Sequence, residues 1–254
     1  YIVPIVNHVL TQGSGRGIQA IIIYPMNALA NSQVQELEKF LCGGSNDRPP
    51  VTFESYTGQE SRAKKDDIIQ HPPDILLTNY VMLELIMTRT DELPLLEKAQ
   101  GLRFLVLDEL HTYRGRQGAD VALLIRRVRD RLDTPALQCV GTSATMAGGA
   151  TFAEQQRDVA EAASVLFGAD VRPEHVIGET LQRMTPNRDF QNPAAAQQLT
   201  ARLADPTLKP PTTYREFVED PLSSWLEQTF GVTEEVGSSR LIRCKPQTIR
   251  GEEG

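Results

Sequence analysis

Short runs of consecutive apolar residues punctuate the first two-thirds of the chain: Ile18 to Tyr24 with Ile21-Ile22-Ile23 at its centre, Val51 to Tyr56, Ile75-Leu76-Leu77, Phe104-Leu105-Val106-Leu107, and Leu137 to Val140. A strand without polar alternation fits a sheet covered on both faces, which is the environment of parallel strands. The segments between these runs have helical periodicity. Residues 1–10 set Ile2, Ile5, Val6 and Val9 on one face, and Asn27 to Leu41 does the same with Ala30, Val34 and Leu37. Glu60 to Gln70 predicts a polar helix, a further helix runs through Leu83 and Ile86, and Ala119 to Leu132 and Phe152 to Phe167 are strongly amphipathic. Strands alternating with helices predict an α/β fold, a mostly parallel sheet with helices on both faces and right-handed crossovers.

The alternation stops near residue 180. Pro186, Pro193, Pro206, Pro210, Pro211 and Pro221 interrupt any long element there, and no buried strand run follows. One amphipathic helix is predicted between Tyr214 and Phe230, around Trp225. The reading is one α/β domain over residues 1–175 and a Pro-rich, mainly helical or irregular extension over 176–254, either an inter-domain insertion or the start of another module.

Composition removes several classes. Hydrophobic residues are 40% and charged residues 23% of the 254, ordinary for a globular protein. No apolar run approaches the roughly 20 residues that span a bilayer. Cys42, Cys139 and Cys244 lie far apart, with neither disulfide nor zinc spacing, which suits a reducing cytoplasm. A net charge of −7 argues against holding nucleic acid by bulk positive charge. His8, His71 and His175 have no partners that suggest a metal site.

Chemistry concentrates where the apolar runs end. Leu105-Val106-Leu107 leads into Asp108-Glu109-Leu110-His111, two adjacent carboxylates at the edge where open α/β sheets bind ligands. In a nucleotide hydrolase the first acid holds Mg²⁺ through water and the second polarises the attacking water. An acidic turn capping the next helix fits the tetrapeptide equally well. Gly141-Thr142-Ser143-Ala144-Thr145 follows the next apolar run and belongs at the same edge. So do Tyr24-Pro25-Met26-Asn27, Tyr56-Thr57-Gly58-Gln59 and Leu77-Thr78-Asn79-Tyr80, whose amides and small hydroxyls suit phosphate without reading bases.

Taken as an ordered set, these segments resemble the motifs of superfamily-2 DEAD/DEAH-box helicases. His111-Thr112-Tyr113-Arg114-Gly115, then Gly118 and an Arg-rich helix, resemble the Lhr-type group of large bacterial DNA helicases with a cysteine-rich C-terminal domain. The likeness spans about residues 1–170. It implies a RecA-like P-loop NTPase fold and the cofactors ATP and Mg²⁺. It also implies a nucleic-acid partner (DNA, with RNA as the alternative) and a second RecA-like domain in the full-length chain. The implied roles are Glu109 and Asp108 in catalysis, with Asp108 on Mg²⁺ through water. His111, Ser143 and Thr145 would couple nucleotide to nucleic acid, and Pro25, Asn27, Gly58, Thr78 and Asn79 would grip the strand.

The family's Walker A loop and first strand, and its second-domain arginines, have no counterpart in these residues. Loss of such an arginine costs about 10³–10⁵ in turnover, so this chain alone is expected to hydrolyse almost no ATP. Gly13-Ser14-Gly15-Arg16-Gly17 follows a helix, precedes a strand and lacks the phosphate-loop lysine, so it reads as a flexible connection. The arginines from Arg114 to Arg131 read as a solvated helix face, with a DNA-facing strip as the alternative. A non-catalytic nucleic-acid-binding scaffold and the motor of a restriction-like defence system are the competing functional readings.

Overall fold

The computed structural model describes residues 1–42, 49–143, 151–205, 207, 209–235 and 237–246. The chain forms two compact units, Tyr1–Val176 and Ile177–Gly254. No helix among the described residues is long and apolar enough to cross a membrane.

In the first unit the apolar runs become β1 (Ala20–Tyr24), β2 (Phe53–Ser55), β3 (Ile75–Asn79), β4 (Phe104–Leu107) and β5 (Gln138–Gly141). They pair in parallel as a five-stranded sheet, in the order β2-β3-β1-β4-β5. Around it lie α1 (Ile2–Gln12), α2 (Asn27–Cys42), α3 (Arg62–Gln70), α4 (Tyr80–Thr88), α5 (Leu93–Glu97), α6 (Gly115–Arg131) and α7 (Phe152–Phe167). Successive strand residues point to opposite faces, and both faces are covered. Ala20, Ile22, Tyr24, Leu77 and Val106 meet Ile5, Val9, Ala30 and Leu37 of α1 and α2. Ile21, Ile23, Leu76, Leu105 and Leu107 meet Leu83, Ile86, Leu95, Val121, Ile125 and Leu166 on the other side. Each such Ile or Leu contributes roughly 1.5–3 kcal/mol when fully buried. The expected parallel sheet with helices on both faces is therefore present. Among the described residues β5 pairs with β4 alone, and it stays half-exposed.

The structure corrects one expectation in this unit and adds detail to another. The Gly13–Gly17 segment is pinned rather than flexible. Asp74, 0% exposed, accepts from Ser14 Oγ at 2.6 Å, from the Gly15 and Thr52 amides at 2.8 Å each, and from Thr52 Oγ1 at 2.8 Å. Gly17, at φ +101°, lies so close to Lys98 that an added Cβ would sit 2.3 Å from the Lys98 carbonyl oxygen. Only glycine fits there. Five of the six arginines from Arg114 to Arg131 are exposed, as expected of a solvated face, and Arg129 is half-buried, but some of them also hold partners on other helices. Arg126 donates to the Val165 carbonyl at 3.2 Å, and Arg129 donates to those of Phe167 and Gly168. These are the carbonyls that the last turn of α7 leaves without helical partners, where a cation is also favoured by the helix dipole. Arg127 pairs with Glu84 of α4 at 2.7 Å.

The second unit holds α8 (Pro193–Leu203), α9 (Tyr214–Glu219), α10 (Pro221–Leu226) and an antiparallel hairpin, β6 (Val232–Glu234) with β7 (Leu241–Arg243). The single helix expected over Tyr214 to Phe230 is broken at Asp220-Pro221. Pro221 begins α10, where its missing N–H costs nothing, and Asp220 is extended and caps that helix through the Leu222 amide. Pro193 likewise opens α8 instead of interrupting an element. The hairpin escaped the apolar-run criterion because its strands are short and only partly buried.

Asp74 ties the loop before β1 to the segments before β2 and β3, so Asp74→Asn, which turns an amide nitrogen toward these donors, should cost about 2–4 kcal/mol. Urea unfolding followed by circular dichroism measures this. An unchanged midpoint would mean that the Gly13–Gly17 segment does not depend on Asp74.

Candidate functional site

Parallel register brings the strand ends to one edge. Tyr24 of β1 pairs with Asn79 of β3, Ile23 with Leu107 of β4, and Leu107 with Gly141 of β5. The residues that follow each strand, Pro25 to Asn27, Asn79, Asp108-Glu109 and Thr142-Ser143, must therefore emerge side by side.

Thr142 organises the acidic turn. Its hydroxyl donates to Asp108 Oδ1 and accepts from the Glu109 amide at 3.3 Å, while its carbonyl accepts from the Leu110 amide at 2.7 Å. Glu109 sits in the left-handed region at φ 53°, ψ 54°. A non-glycine residue held there costs about 1–3 kcal/mol and persists only where surrounding bonds over-determine it. The Thr142 contacts, and the Thr112 amide and hydroxyl donating to the Glu109 carbonyl at 2.8 Å each, supply that constraint. The turn also depends on Gly118. An added Cβ there would lie 2.6 Å from the Tyr113 carbonyl oxygen.

His111 Nδ1 lies 3.1 Å from Ser143 Oγ and 3.1 Å from Glu109 Oε2. The second contact is an ion pair when the imidazole is charged, but it is not aligned as a hydrogen bond, and among the described residues Glu109 Oε2 is buried with no hydrogen-bond partner. A buried acceptor left open is costly, and here it sits beside a carboxylate already fixed through one oxygen. This donor set fits a nucleotide-bound Mg²⁺ with its waters: hard carboxylate oxygen for the ion, and an open acceptor for water. The Tyr113 hydroxyl is likewise buried and unpartnered. Burial, and then the nearby Asp108 charge, push its phenol well above the ordinary range, so it remains a neutral donor.

Beyond β1 and β3 the groups suited to phosphate are arranged differently from expectation. Thr78 is 0% exposed, and its hydroxyl donates to the Tyr56 carbonyl at 2.6 Å. In this arrangement it ties β3 to the turn after β2 and presents no surface of its own to a strand. The amides of Thr57 and Gly58 both donate to Glu60 Oε2 at 2.9 Å, so the turn's phosphate-like acceptor is internal. Burial raises the Glu60 pKa, but its own backbone amide, Ser55 and Thr57 outweigh this and hold it below the usual carboxylate range. Gly58 itself is exposed, at φ +91°, and Pro25 and Asn27 are half-buried at the edge. Asn79 bonds Asn27 and Thr57 and caps α4. Thr145, named in the coupling motif, lies outside the described residues. Thr142, Glu60 and Tyr113 were missed as site residues. For Thr142 a signal existed: it follows the strand expected next to Asp108.

The DEAD/DEAH box helicase model matches residues 1–152. The chain belongs to the DEAD/DEAH box helicase family. Its sheet is the RecA-like core of that family. It is 41% identical over 108 residues to Druantia protein DruE of Escherichia coli (strain UMEA 4076-1), covering 37% of this chain and 6% of that protein. It is 30% identical over 139 residues to the Lhr helicase/probable uracil glycosylase of Mycolicibacterium smegmatis, covering 52% and 9%. Among solved structures it is similar to the DUF1998 helicase MrfA bound to DNA and AMPPNP, at 27% identity and TM-score 0.53, covering 68% of this chain and 22% of that one. The chain thus spans less than a quarter of the length of each of these relatives.

Because Thr78 is a buried tie, Thr78→Val should lower stability by about 1–2 kcal/mol and leave affinity for a single strand within about twofold. Thermal melting and fluorescence anisotropy read the two effects. A large affinity loss at unchanged stability would restore a strand contact to Thr78.

Proposed function

We propose that this chain contributes the hydrolytic acids and part of the strand-binding edge to the first motor domain of an ATP-dependent DNA helicase or translocase. The observation that carries the reading is the buried Glu109 Oε2, without a hydrogen bond among the described residues, beside an Asp108 carboxylate locked by Thr142. Family membership and the DNA- and AMPPNP-bound state of MrfA support it.

Bound Mg²⁺ and ATP would supply a γ-phosphoryl group whose developing charge the ion neutralises. Asp108 would hold the ion through water with the oxygen that Thr142 leaves free. Glu109, aimed by its left-handed backbone, would polarise the attacking water. His111 touches both Glu109 and Ser143, so it would carry the state of the nucleotide to the segment that follows β5. Thr145 is assigned to the same coupling from the family resemblance. Pro25, Asn27, Gly58 and Asn79 mark the strand-binding edge, with RNA as the alternative strand.

The lysine-bearing phosphate loop and the second domain's arginines would be supplied by other parts of the protein, in keeping with the small share of its relatives that this chain spans. The half-exposed edge of β5 is where a further strand would add to the sheet. The intact Asp108-Glu109 turn, over-determined by hydrogen bonds, favours a working hydrolase over a scaffold that has lost hydrolysis.

In the intact protein Glu109→Gln should reduce ATP turnover by at least about 10²-fold, the scale of a lost general base, with nucleotide and strand binding largely retained. Steady-state phosphate release and equilibrium binding measure this. Turnover near that of the unaltered protein would reject the role given to Glu109.

A further inference from the structure

Asn79 occupies a junction that its assignment as a strand contact does not explain. Its Oδ1 accepts from the Met82 amide at 2.7 Å and caps α4. That bond fixes which end of the side-chain amide faces the helix, because an amide N–H requires the oxygen. The nitrogen is left pointing away from α4, where it donates to Asn27 Oδ1 at 2.6 Å and to the Thr57 carbonyl at 3.3 Å. Asn27 is the first residue of α2, and Thr57 lies in the turn after β2.

One side chain therefore joins the start of α2, the Tyr56–Gln59 turn and the start of α4. Backbone pairing alone does not set this arrangement. β1 and β3 pair up to Tyr24 and Asn79, and β2 and β3 up to Ser55 and Leu77 with one further bond from the Tyr56 amide to the Leu77 carbonyl, so from Thr57 onward the segments share no ladder. Glu60 fixes the turn's own shape from inside but reaches neither helix start in the bonds it makes. Asn31 Nδ2 donates to Gln59 Oε1 at 3.2 Å and joins α2 to the turn again, with both side chains exposed. An exposed bond of that kind exchanges readily with water or a strand, whereas the part-buried Asn79 knot persists.

We infer that Asn79 is a positioning residue for nucleic-acid binding. Its amide nitrogen holds the start of α2 and the Thr57-Gly58 turn in the one arrangement that grips a strand, and it does so without touching the strand itself. The inference rests on the strand-binding edge proposed above and assigns Asn79 a different task within it.

The test uses the intact protein, a single-stranded oligothymidylate, and the variants Asn79→Asp, Asn27→Ala and the two combined. Asn79→Asp keeps an acceptor for Met82 and adds a negative charge at a helix N-terminus, where it is favoured. Melting should therefore stay within a few degrees. Strand affinity should fall about tenfold, the scale of one or two lost hydrogen bonds. The strand concentration giving half-maximal ATPase stimulation should rise by a similar factor, with the rate at saturation changed much less. Asn27→Ala should weaken binding comparably, and the combined variant should be no worse than the weaker single one, because both remove the same bond.

Strand affinity of Asn79→Asp equal to that of the unaltered protein would overturn the inference. So would additive losses in the combined variant. If Asn79→Asp fails to fold, Asn79→Ser, which keeps an N-cap acceptor for Met82 but is too short to reach Asn27, takes its place: weaker binding at unchanged melting supports the knot, and unchanged binding rejects it. An unaltered protein that binds no strand at all would instead overturn the proposed function, and this inference with it.

Discussion

The hydrogen-bond ladder that pairs β1 with β3 on one side and with β4 on the other fixes the position of every group proposed to act. Parallel pairing brings strand ends to a common edge, and the register Ile23 with Leu107 and Leu107 with Gly141 sets the acids beside Thr142. The ladder persists because both faces of β1 are buried, with Ile21 and Ile23 on one side and Ile22 and Tyr24 on the other. A one-residue slip would exchange those faces and carry Asp108 away from Thr142.

On that frame, polar groups give each loop its local geometry. Asp74 gathers the segments before β1, β2 and β3 at one end of the sheet, and Thr142, Glu60 and Asn79 shape the loops at the other. The two ends differ in one respect. The Asp74 carboxylate meets donors on both oxygens, whereas the acidic turn keeps a strained Glu109 and an open acceptor. Strain and unsatisfied polarity are tolerated where a ligand relieves them, which is why the acidic edge, and not the Asp74 cluster, carries the functional proposal.

Much of this was legible in the sequence, because apolar runs and helical periodicity report burial directly. β4 and α7 fall on the residues expected, Phe104–Leu107 and Phe152–Phe167. Boundaries moved where a side chain caps a turn. The helix expected from Glu60 starts at Arg62, because Glu60 is spent on the Thr57 and Gly58 amides and Ser61 takes the cap. Thr78 suggested chemistry by its residue type, whereas the alternation of β3 puts it on the buried face of Leu76. The α6 arginines could not be placed from periodicity, since their partners are carbonyls of α7, some forty residues away. The Asn27–Asn79 bond was equally hidden, because nothing in local sequence announces a contact across 52 positions.

The central claim is that the acidic edge hydrolyses ATP in response to a strand held by the neighbouring loops. ATP hydrolysis by the intact protein, measured with and without single-stranded DNA at saturating Mg²⁺, tests this most directly. The account expects a slow basal rate that DNA raises at least about tenfold, as coupling of a few kcal/mol between the sites would produce. A rate that is insensitive to DNA or RNA at every strand concentration would contradict it.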